Sequence, residues 1–387
     1  MNRQRTCLVI VAIAVMVFSS ALSFAAPLTS VEVTGDFKVS GAGSGVVFPD
    51  GTRQMSAAIG YARTVLVSPI EGGTIQQNGT ALRTALDSIA DASADKPYLL
   101  KIEPGIYDIG ANTLQMKQYV DIEGSGENTT VIEGSLDSST AGVVNGASFA
   151  EIRFLTIKST GAGTNKIAMY NNAVSPRITN VTAIATGTNP ATGLARAFQN
   201  GSSTPTMTNV SAEASGASSN TGIANYLSPS PGMTLTNVKV AVIITSGAYA
   251  YGIYNYGAGG TSLMVLTNVT SEVSGGSAYT AAVYNHTASA VITNLTATST
   301  AASNGFAVFS EGGDTCAAPA CVVRIHNSAL KGSTGAFGSL HIDHGLTTKV
   351  ANSQIDGAII VGSPTRMTCV GAFDENYAAC TSACTCP

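Results

Sequence analysis

The sequence predicts an all-β solenoid in which short parallel strands stack as successive coils. Three observations support this fold class: a recurring Thr-Asn motif, alternation of apolar and polar residues on both sides of each motif, and a weakly charged composition. Charged residues make up 11% of the chain, glycine numbers 41, and tryptophan is absent. A repeat every few tens of residues indicates stacked supersecondary units rather than separate globular domains.

The chain begins with the features of a secretory signal peptide. Arg3 and Arg5 form a basic start, residues 8–18 are apolar, and Ser23, Phe24 and Ala25 precede a predicted cleavage site. The apolar stretch is shorter than the roughly 20 residues of a membrane-spanning helix, although a retained N-terminal anchor is the alternative. We expect residues 1–25 to be removed and the chain to be of bacterial origin. The mature protein would then be exported to the extracellular space or outer surface, with the periplasm as the alternative.

Residues 26–60 show a different pattern from the rest of the chain. They contain short strand-like runs and a Pro-Asp-Gly turn at residues 49–51. We interpret them as an N-terminal short-strand appendage that serves attachment or oligomerisation, with a flexible lead as the alternative.

A helix is predicted over about residues 79–92, with Asn78 or Thr80 as its N-cap. One face of this helix carries Leu82, Ala85, Leu86 and Ile89. Such an apolar face would cover the open end of the first coil, where strand edges would otherwise be exposed.

Seven asparagines mark the repeat, in segments such as ITNVTA, LTNVTS and ITNLTA, with gaps of 25 to 33 residues. They are Asn180, Asn209, Asn237, Asn268, Asn294, Asn327 and Asn352. Asparagine tolerates a left-handed backbone, so each is predicted at a tight bend between two strands. We expect their stacked amides to form an inward-pointing ladder that satisfies buried backbone groups. Several copies are also N-glycosylation sequons, but an inward ladder would block that modification.

The entry segment carries the patterns I-x-P-G-x-Y from Ile102 and G-x-G-x-x-x-T-x-I-x-G from Gly124. With the repeat over roughly residues 146–364, this segment resembles the pectate-lyase/pectinesterase-like superfamily of bacterial β-helix proteins. The resemblance implies a single right-handed parallel β-helix of about nine coils over residues 61–366, preceded by the capping helix. It also implies a glycan groove on the strand that follows each long loop.

The residues that the superfamily needs for catalysis are missing from the middle of the repeat. The resemblance implies an acidic pair for hydrolases, an Asp nucleophile with a second Asp and an Arg for esterases, and acidic calcium ligands with a base for lyases. Between residues 178 and 310 the charged residues are Arg196, Glu213, Lys239 and Glu272. We therefore expect no catalytic pair there, and no metal or cofactor.

One weaker catalytic candidate lies in the segment SLHIDHG, which contains His341, Asp343 and His344. His341 and Asp343 share a face if the segment is a strand. An acid–base or metal site and a solvated pair of polar residues are the two interpretations.

An aromatic residue recurs in the strand after each long loop, at intervals of 25 to 30 residues. These residues are Tyr170, Phe198, Tyr226, Tyr254, Tyr284 and Phe309. Because apolar residues precede them, alternation predicts that all six point outward and stack in register. Such a strip would suit the CH faces of sugar rings, whereas packing beneath a loop is the alternative.

Six cysteines remain after cleavage: Cys316, Cys321, Cys369, Cys380, Cys384 and Cys386. An even number in an exported chain predicts disulfides. Cys316 and Cys321 would staple one loop, and the last four would fix a Cys-rich tail over residues 367–387, with their pairing left open. A zinc site in the tail is the alternative.

These observations favour a secreted or surface-exposed protein, non-catalytic, that binds polysaccharide or a cell-surface glycan through its aromatic ladder. A polysaccharide-active enzyme with an atypical site and a structural or adhesive rod are the alternatives. The net charge of −4 and the lack of a basic stripe argue against nucleic acid. We expect no membrane span in the mature chain, and oligomerisation, if it occurs, through residues 26–60.

Overall fold

The computed structural model describes residues 46–47, 53–54, 61–227, 232–244, 249–257, 263–276, 279–300, 305–311, 321–333, 340–343, 347–361 and 367–386. The predicted signal peptide, Cys316 and His344 lie outside these residues. For residues 340–343 the description covers the backbone only. Among the described residues, no helix has the length and apolar character needed to cross a bilayer.

The chain divides into two units, residues 1–59 and residues 60–387. In the first unit, β1 (Val46–Val47) pairs antiparallel with β2 (Arg53–Gln54). This pair brackets the Pro-Asp-Gly sequence at residues 49–51.

The second unit begins with β3 (Arg63–Val67) and the helix α1 (Ile75–Ser88). The helix starts earlier than the sequence predicted, because Thr74 rather than Asn78 or Thr80 is its N-cap. Thr74 forms a capping box with Gln77: each side chain accepts a hydrogen bond from the other residue's backbone N–H. Asn78 instead lies buried and donates to the carbonyl of Ile106.

Helix α1 closes the first coil. Leu82 and Leu86 are buried in the core, and Lys117 donates to the carbonyls of Asp87 and Ile89 at the helix C-terminal end. Gly79 lets the helix pack closely against the backbone at Asp108, because a Cβ at position 79 would lie 2.0 Å from the carbonyl oxygen of Asp108.

The remaining elements are all strands. They are β4 (Tyr98–Ile102), β5 (Gly105–Asp108), β6 (Leu114–Gln115), β7 (Val120–Glu123), β8 (Thr130–Gly134), β9 (Val144–Asn145), β10 (Glu151–Ser159), β11 (Asn165–Asn172), β12 (Arg177–Thr186), β13 (Leu194–Gly201), β14 (Thr206–Ser215), β15 (Ser219–Leu227), β16 (Met233–Ile244), β17 (Tyr249–Gly257), β18 (Leu263–Gly275), β19 (Tyr279–His286), β20 (Ser289–Thr300), β21 (Gly305–Glu311), β22 (Val322–His326), β23 (Ala329–Lys331), β24 (Leu340–Asp343), β25 (Thr347–Ala351), β26 (Gln354–Asp356), β27 (Ile359–Val361), β28 (Met367–Val370) and β29 (Phe373–Asp374).

Every described strand from β3 onward pairs in parallel with a strand of a neighbouring coil. In the middle coils, one long strand bends at a left-handed residue, and a second strand then belongs to a separate ten-stranded sheet that runs from β6 to β27. The predicted fold class is therefore confirmed: the second unit is a right-handed parallel β-helix with an N-terminal capping helix. The solenoid has about 8 turns, against a prediction of about nine coils.

The core is built from columns of apolar residues at equal register positions in successive coils. One column is Ile152, Ile178, Met207, Leu235, Leu266, Ile292 and Ile325. All of these side chains are buried. The alternation of apolar and polar residues seen in the sequence therefore marks the inner and outer faces of the strands.

The seven repeat asparagines all lie at bends with a left-handed backbone, with φ between 49° and 56°. Their predicted direction is wrong, because five of them form a ladder on the outside of the solenoid. Asn209, Asn237, Asn268 and Asn294 each donate from Nδ2 to Oδ1 of the asparagine one coil earlier, at 2.8 to 3.0 Å. A residue at the apex of a convex bend faces solvent, so inward burial cannot be what prevents glycosylation here.

A second asparagine ladder lies inside the solenoid. Its members are Asn171, Asn200, Asn225, Asn255 and Asn285. Each of the first four donates from Nδ2 to Oδ1 of the next at 2.7 to 2.8 Å, and all five are fully buried. This inner ladder occupies the ten-stranded sheet and supplies the buried amide stack that the sequence analysis assigned to the bend residues.

The solenoid continues beyond the predicted boundary at residue 366, because β28 and β29 stack on β25 and β26. Two disulfides then fix the tail: Cys369–Cys384 and Cys380–Cys386. Cys321 is also disulfide-bonded. The tail cysteines are thus joined as cystines rather than arranged as zinc ligands.

Candidate functional site

The aromatic residues singled out in the sequence lie on the ten-stranded sheet, but they do not form one column of six. Tyr254, Tyr284 and Phe309 occupy equal register positions in consecutive coils, and Tyr170 belongs to the same column further along. Gln199 and Ala224 occupy the two intervening positions. These four aromatic side chains are partly buried on the outer face.

The prediction fails for two of the six. Phe198 pairs in register with Met169 and Ile223 and is fully buried in the core. Tyr226 faces outward but pairs with Tyr256, one column away. Because coils differ in length, an offset of one residue moves Phe198 to the opposite face of its strand, whereas an offset of two residues keeps Tyr226 on the outer face but in another column.

The outward tyrosines line an open cleft of about 320 Å³ on this face. Of the described residues, those that line it are Arg196, Ser219, Thr221, Tyr226, Tyr249, Tyr251, Tyr254 and Tyr284. They come from four consecutive coils, β13, β15, β17 and β19, which places the ends of the cleft about 14 Å apart at a strand spacing of ~4.8 Å.

The tyrosine rings of the cleft touch one another in tilted and edge-on pairs. Tyr251 and Tyr284 have ring centroids 5.1 Å apart, and Tyr254 and Tyr284 have centroids 5.2 Å apart. Tyr226 continues the row, 5.8 Å from Tyr254. Such geometry is favourable for aromatic pairs, and it gives the cleft an apolar floor with a hydroxyl rim.

Burial changes the acidity of these tyrosines. It raises the pKa of Tyr254 to about 12, and it raises the pKa of Tyr251 further. Burial and then a hydrogen bond to Glu311 raise the pKa of Tyr284. The phenols therefore remain protonated donors at neutral pH.

Three outward tyrosines of this face were not predicted from the sequence: Tyr249, Tyr251 and Tyr256, from the run YAYGIYNYG in β17. The density of tyrosine in this one strand was the available signal. Tyr249, Tyr251, Tyr254 and Tyr256 all face outward because Gly252 and Ile253 are both buried, which shifts the inside–outside alternation by one residue between Tyr251 and Tyr254. That shift is not visible in the sequence.

Arg196 forms the end of the cleft nearest the chain's N-terminus. Its guanidinium carbon lies 5.3 Å from the ring centroid of Tyr226, and Nη1 donates to Oε1 of Gln199 at 2.8 Å. Nε is buried without a hydrogen-bond partner, and no carboxylate pairs with Arg196 among the described residues. The cleft thus holds a positive charge that the described part of the protein does not neutralise.

The opposite end of the cleft, at Tyr284, adjoins an acidic residue, Glu311. Tyr284 donates a hydrogen bond from its hydroxyl to Oε2 of Glu311, and Nε2 of His286 lies 4.0 Å from the same oxygen. His286 stacks on Tyr256 with ring centroids 4.9 Å apart and planes 7° apart. This contact fixes the plane of the imidazole.

The weak catalytic candidates of the sequence analysis lie one coil further on. In β24, His341 pairs in register with Phe309, and Asp343 pairs with Glu311. The described backbone therefore brings two of the three predicted residues to the Tyr284 end of the cleft, next to Glu311 and His286, which the sequence analysis had not assigned to a site.

A separate charged cluster lies on the first coils, outside the cleft. Arg153 forms ion pairs with Glu123 at 2.7 Å and with Glu151 at 2.9 Å, and Lys101 pairs with Glu123 at 2.7 Å. Burial of Glu123 opposes ionisation, but hydrogen bonds from Lys101 and Arg153 lower its pKa. Because its charges neutralise one another, we interpret this cluster as structural.

No protein-family model matches the chain, and no curated protein matches it. Among solved structures, the A-module of mannuronan C-5 epimerase AlgE6 from Azotobacter vinelandii is similar at 14% identity and TM-score 0.40, over 77% of this chain and 95% of that one. Pectin methylesterase PemA from Erwinia chrysanthemi is similar at 13% identity and TM-score 0.36, over 85% and 93%. DFA-IIIase from Arthrobacter chlorophenolicus is similar at 11% identity and TM-score 0.37, over 83% of this chain and 90% of that one.

Proposed function

We propose that this protein is an exported polysaccharide-binding protein and that the tyrosine cleft is its binding site. The observation that carries the proposal is the row of contacting rings from Tyr226 through Tyr254 to Tyr284 in an open cleft. A row of rings that follows the solenoid axis matches a linear polymer, because successive sugar rings can lie on successive coils.

The chemistry of the lining supports a sugar rather than a purely apolar ligand. A sugar ring presents an apolar CH face and a hydroxyl edge. The tyrosine rings supply apolar contact, and their hydroxyls with those of Ser219 and Thr221 supply hydrogen-bond partners. Contacts with neighbouring rings already restrict the tyrosine side chains. Binding a glycan therefore costs little additional side-chain entropy.

Arg196 adds a preference for acidic polysaccharides. A carboxylate on the glycan would receive two parallel hydrogen bonds from the guanidinium, which is the arrangement that arginine favours. Because the cation is unpaired among the described residues, binding an anion there would break no ion pair of that part of the protein.

Export is part of the proposal. It is supported by the signal-peptide features of residues 1–25 and by the cystines Cys369–Cys384 and Cys380–Cys386. Disulfides of this kind persist in oxidising compartments.

The experiment is affinity electrophoresis of the mature chain through gels that contain a neutral or an acidic polysaccharide. We expect retardation, stronger in acidic gels, that is lost in Tyr254→Ala and largely kept in Tyr254→Phe, which preserves the ring. Tyr377→Ala is the matched control, because Tyr377 is 78% exposed and does not line the described cleft.

Unchanged migration of the native chain across a broad panel of polysaccharides would refute the proposal. Retardation that Tyr254→Ala and Tyr377→Ala reduce equally would also refute it, because the cleft would then have no special part in binding. Released sugar is assayed in parallel. Its detection would mean that the protein cleaves the polysaccharide and does not only bind it.

A further inference from the structure

The outer asparagine ladder ends at Asn294, although asparagine also occupies the next two bends. Asn294 donates from Nδ2 to Oδ1 of Asn268, and Asn327 and Asn352 follow at the equivalent bends of the next two coils. Among the described residues, the side-chain amides of Asn327 and Asn352 form no hydrogen bond, and nothing donates to Oδ1 of Asn294. Neighbouring amides with unused donors and acceptors therefore lie in a row on the outside of the solenoid.

Serine hydroxyls replace the ladder in these coils. Oγ of Ser328 accepts from the backbone N–H of Leu295, and Oγ of Ser353 accepts from the backbone N–H of Ser328. Both serines are buried directly behind a bend asparagine, so each joins its coil to the preceding one from the inside. Because the serines make this connection, the amides of Asn327 and Asn352 are available to a ligand.

An open groove of about 380 Å³ lies over this part of the solenoid, and we call it the bend groove. One side of it is the row of bend asparagines. The other side is a column of outward residues at equal register positions in four consecutive coils: Thr296, Ala329, Gln354 and Phe373. Four coils span about 14 Å at a strand spacing of ~4.8 Å. None of the described residues that line the groove is charged, so its ligand should be neutral.

The end of the groove nearest the C-terminus is an aromatic ring that neighbouring residues hold in place. Phe373 stacks on Tyr377 with ring centroids 5.4 Å apart and planes 14° apart. Oδ1 of Asp374 accepts hydrogen bonds from the backbone N–H groups of Asn376 and Ala378 and so fixes the turn that carries Tyr377. Phe373 therefore presents an apolar face that is already ordered before a ligand binds.

These groups match a neutral sugar that carries an N-acetylamino group. An acetamido group has one N–H donor and one carbonyl acceptor. Lying along the bends, it can donate to Oδ1 of Asn294 and accept from Nδ2 of Asn327. The apolar face of a neighbouring sugar unit can then cover the ring of Phe373, as in sites where a few polar groups orient a ligand on an apolar surface.

We propose that the bend groove binds an oligosaccharide of N-acetylamino sugars, at least a disaccharide in length. The proposal does not depend on the tyrosine cleft. That cleft lies on the ten-stranded sheet and carries Arg196, whereas the bend groove lies on the sheet that contains the bends and has an uncharged lining.

The test is isothermal titration of the mature chain with the β-1,4-linked disaccharide of N-acetylglucosamine, in parallel with cellobiose, which lacks both acetamido groups. We expect one binding site per chain and an affinity for cellobiose at least about tenfold weaker, because the acetamido hydrogen bonds are missing. Asn327→Asp keeps the shape of the side chain but removes its donor, and should weaken binding about tenfold. Phe373→Leu should weaken it about fivefold through loss of the aromatic face.

Asn180→Asp is the matched control. Asn180 lies at the same kind of left-handed bend, at the first position of the ladder and outside the groove, and an aspartate there still accepts the hydrogen bond from Asn209. Absence of binding by the native chain would overturn the proposal, as would equal affinity for cellobiose. Equal weakening by Asn180→Asp and Asn327→Asp would also overturn it. Loss of disaccharide binding in Tyr254→Ala would place the sugar in the tyrosine cleft instead, whereas retention there would separate this site from that one.

Discussion

Asn209 donates a hydrogen bond from Nδ2 to Oδ1 of Asn180 at 3.0 Å, on the outside of the solenoid and between two bends of left-handed backbone. The same bond joins Asn237 to Asn209 and Asn268 to Asn237. Each asparagine therefore does two things: it tolerates the bend, and it ties its coil to the next.

Replacing Asn237 separates these two contributions. In Asn237→Ala the bend keeps φ near 54°, which disfavours a β-carbon, and both ladder bonds are lost. We expect a loss of about 2 kcal/mol in unfolding free energy. In Asn237→Gly the bend is unstrained and only the bonds are lost, so the loss should be about 1 kcal/mol. Denaturant melts followed by circular dichroism measure both, and equal losses would mean that backbone strain contributes nothing.

The inner ladder should be more sensitive than the outer one. Asn255 is fully buried, accepts from Asn225 at 2.8 Å and donates to Asn285 at 2.7 Å. Asn255→Leu leaves one donor and one acceptor unpaired in the core, and we expect a loss of roughly 3 kcal/mol. The comparison is with Asn237→Gly in the same melts. A smaller loss for Asn255→Leu would show that water or rearrangement satisfies the remaining amides.

The fold could be predicted from the sequence because a solenoid repeats its own constraints. Two signals repeat in successive coils: the Thr-Asn spacing and the alternation of apolar and polar residues around it. The apolar face of the capping helix occurs once but can be read from a short segment. The direction of the asparagine ladder could not be predicted, because a left-handed bend residue fits either face and only packing decides between them. The buried amides of Asn171 and Asn200 had no comparable motif.

The site was harder to predict, for a reason of register. Phe198 and Tyr226 keep the right spacing from their neighbours, yet loops of unequal length shift them to another face or another column. For the same reason, the juxtaposition of Glu311 with Asp343 appears only when the strands are aligned. Spacing along a chain gives the period of a repeat but not the register of each coil.

The tyrosines predict how stability depends on pH. Burial raises the pKa of Tyr107 and of Tyr254 to about 12, from an ordinary value of 10.0. The unfolded chain therefore loses these protons before the folded chain does, so their contribution is complete below pH 10 and is lost as the pH rises toward 12. Thermal melts across that range should show a falling midpoint, and the fall should be shallower in Tyr254→Phe than in the control Tyr377→Phe. A midpoint that is flat across this range in the native chain would contradict the assignment.

The two tail disulfides should contribute unequally. Cys369–Cys384 closes a separation of 15 residues and Cys380–Cys386 a separation of 6. Loop-closure entropy predicts losses of about 3 kcal/mol and about 2 kcal/mol when each pair is replaced by serine. Cys369 also pairs in register with Val350, so its loss should loosen the last coil. Thermal midpoints of the two double variants rank the effects, and the reverse order would show that packing rather than loop length dominates.

Arg196 should determine charge preference without determining binding itself. In Arg196→Gln the cation is removed while a polar side chain of moderate length remains beside Tyr226. Hydrogen bonds to a charged partner contribute more than neutral ones, so we expect affinity for an acidic polysaccharide to fall about tenfold and affinity for a neutral one to change little. Arg196→Lys keeps the charge but cannot form the bidentate pair, so its affinity should lie between those of the native chain and Arg196→Gln. Higher ionic strength should narrow the difference between native and Arg196→Gln chains, because it screens a partly exposed charge. An equal fall for neutral and acidic polymers would mean instead that Arg196 supports the ring of Tyr226, and that the cleft does not select for charge.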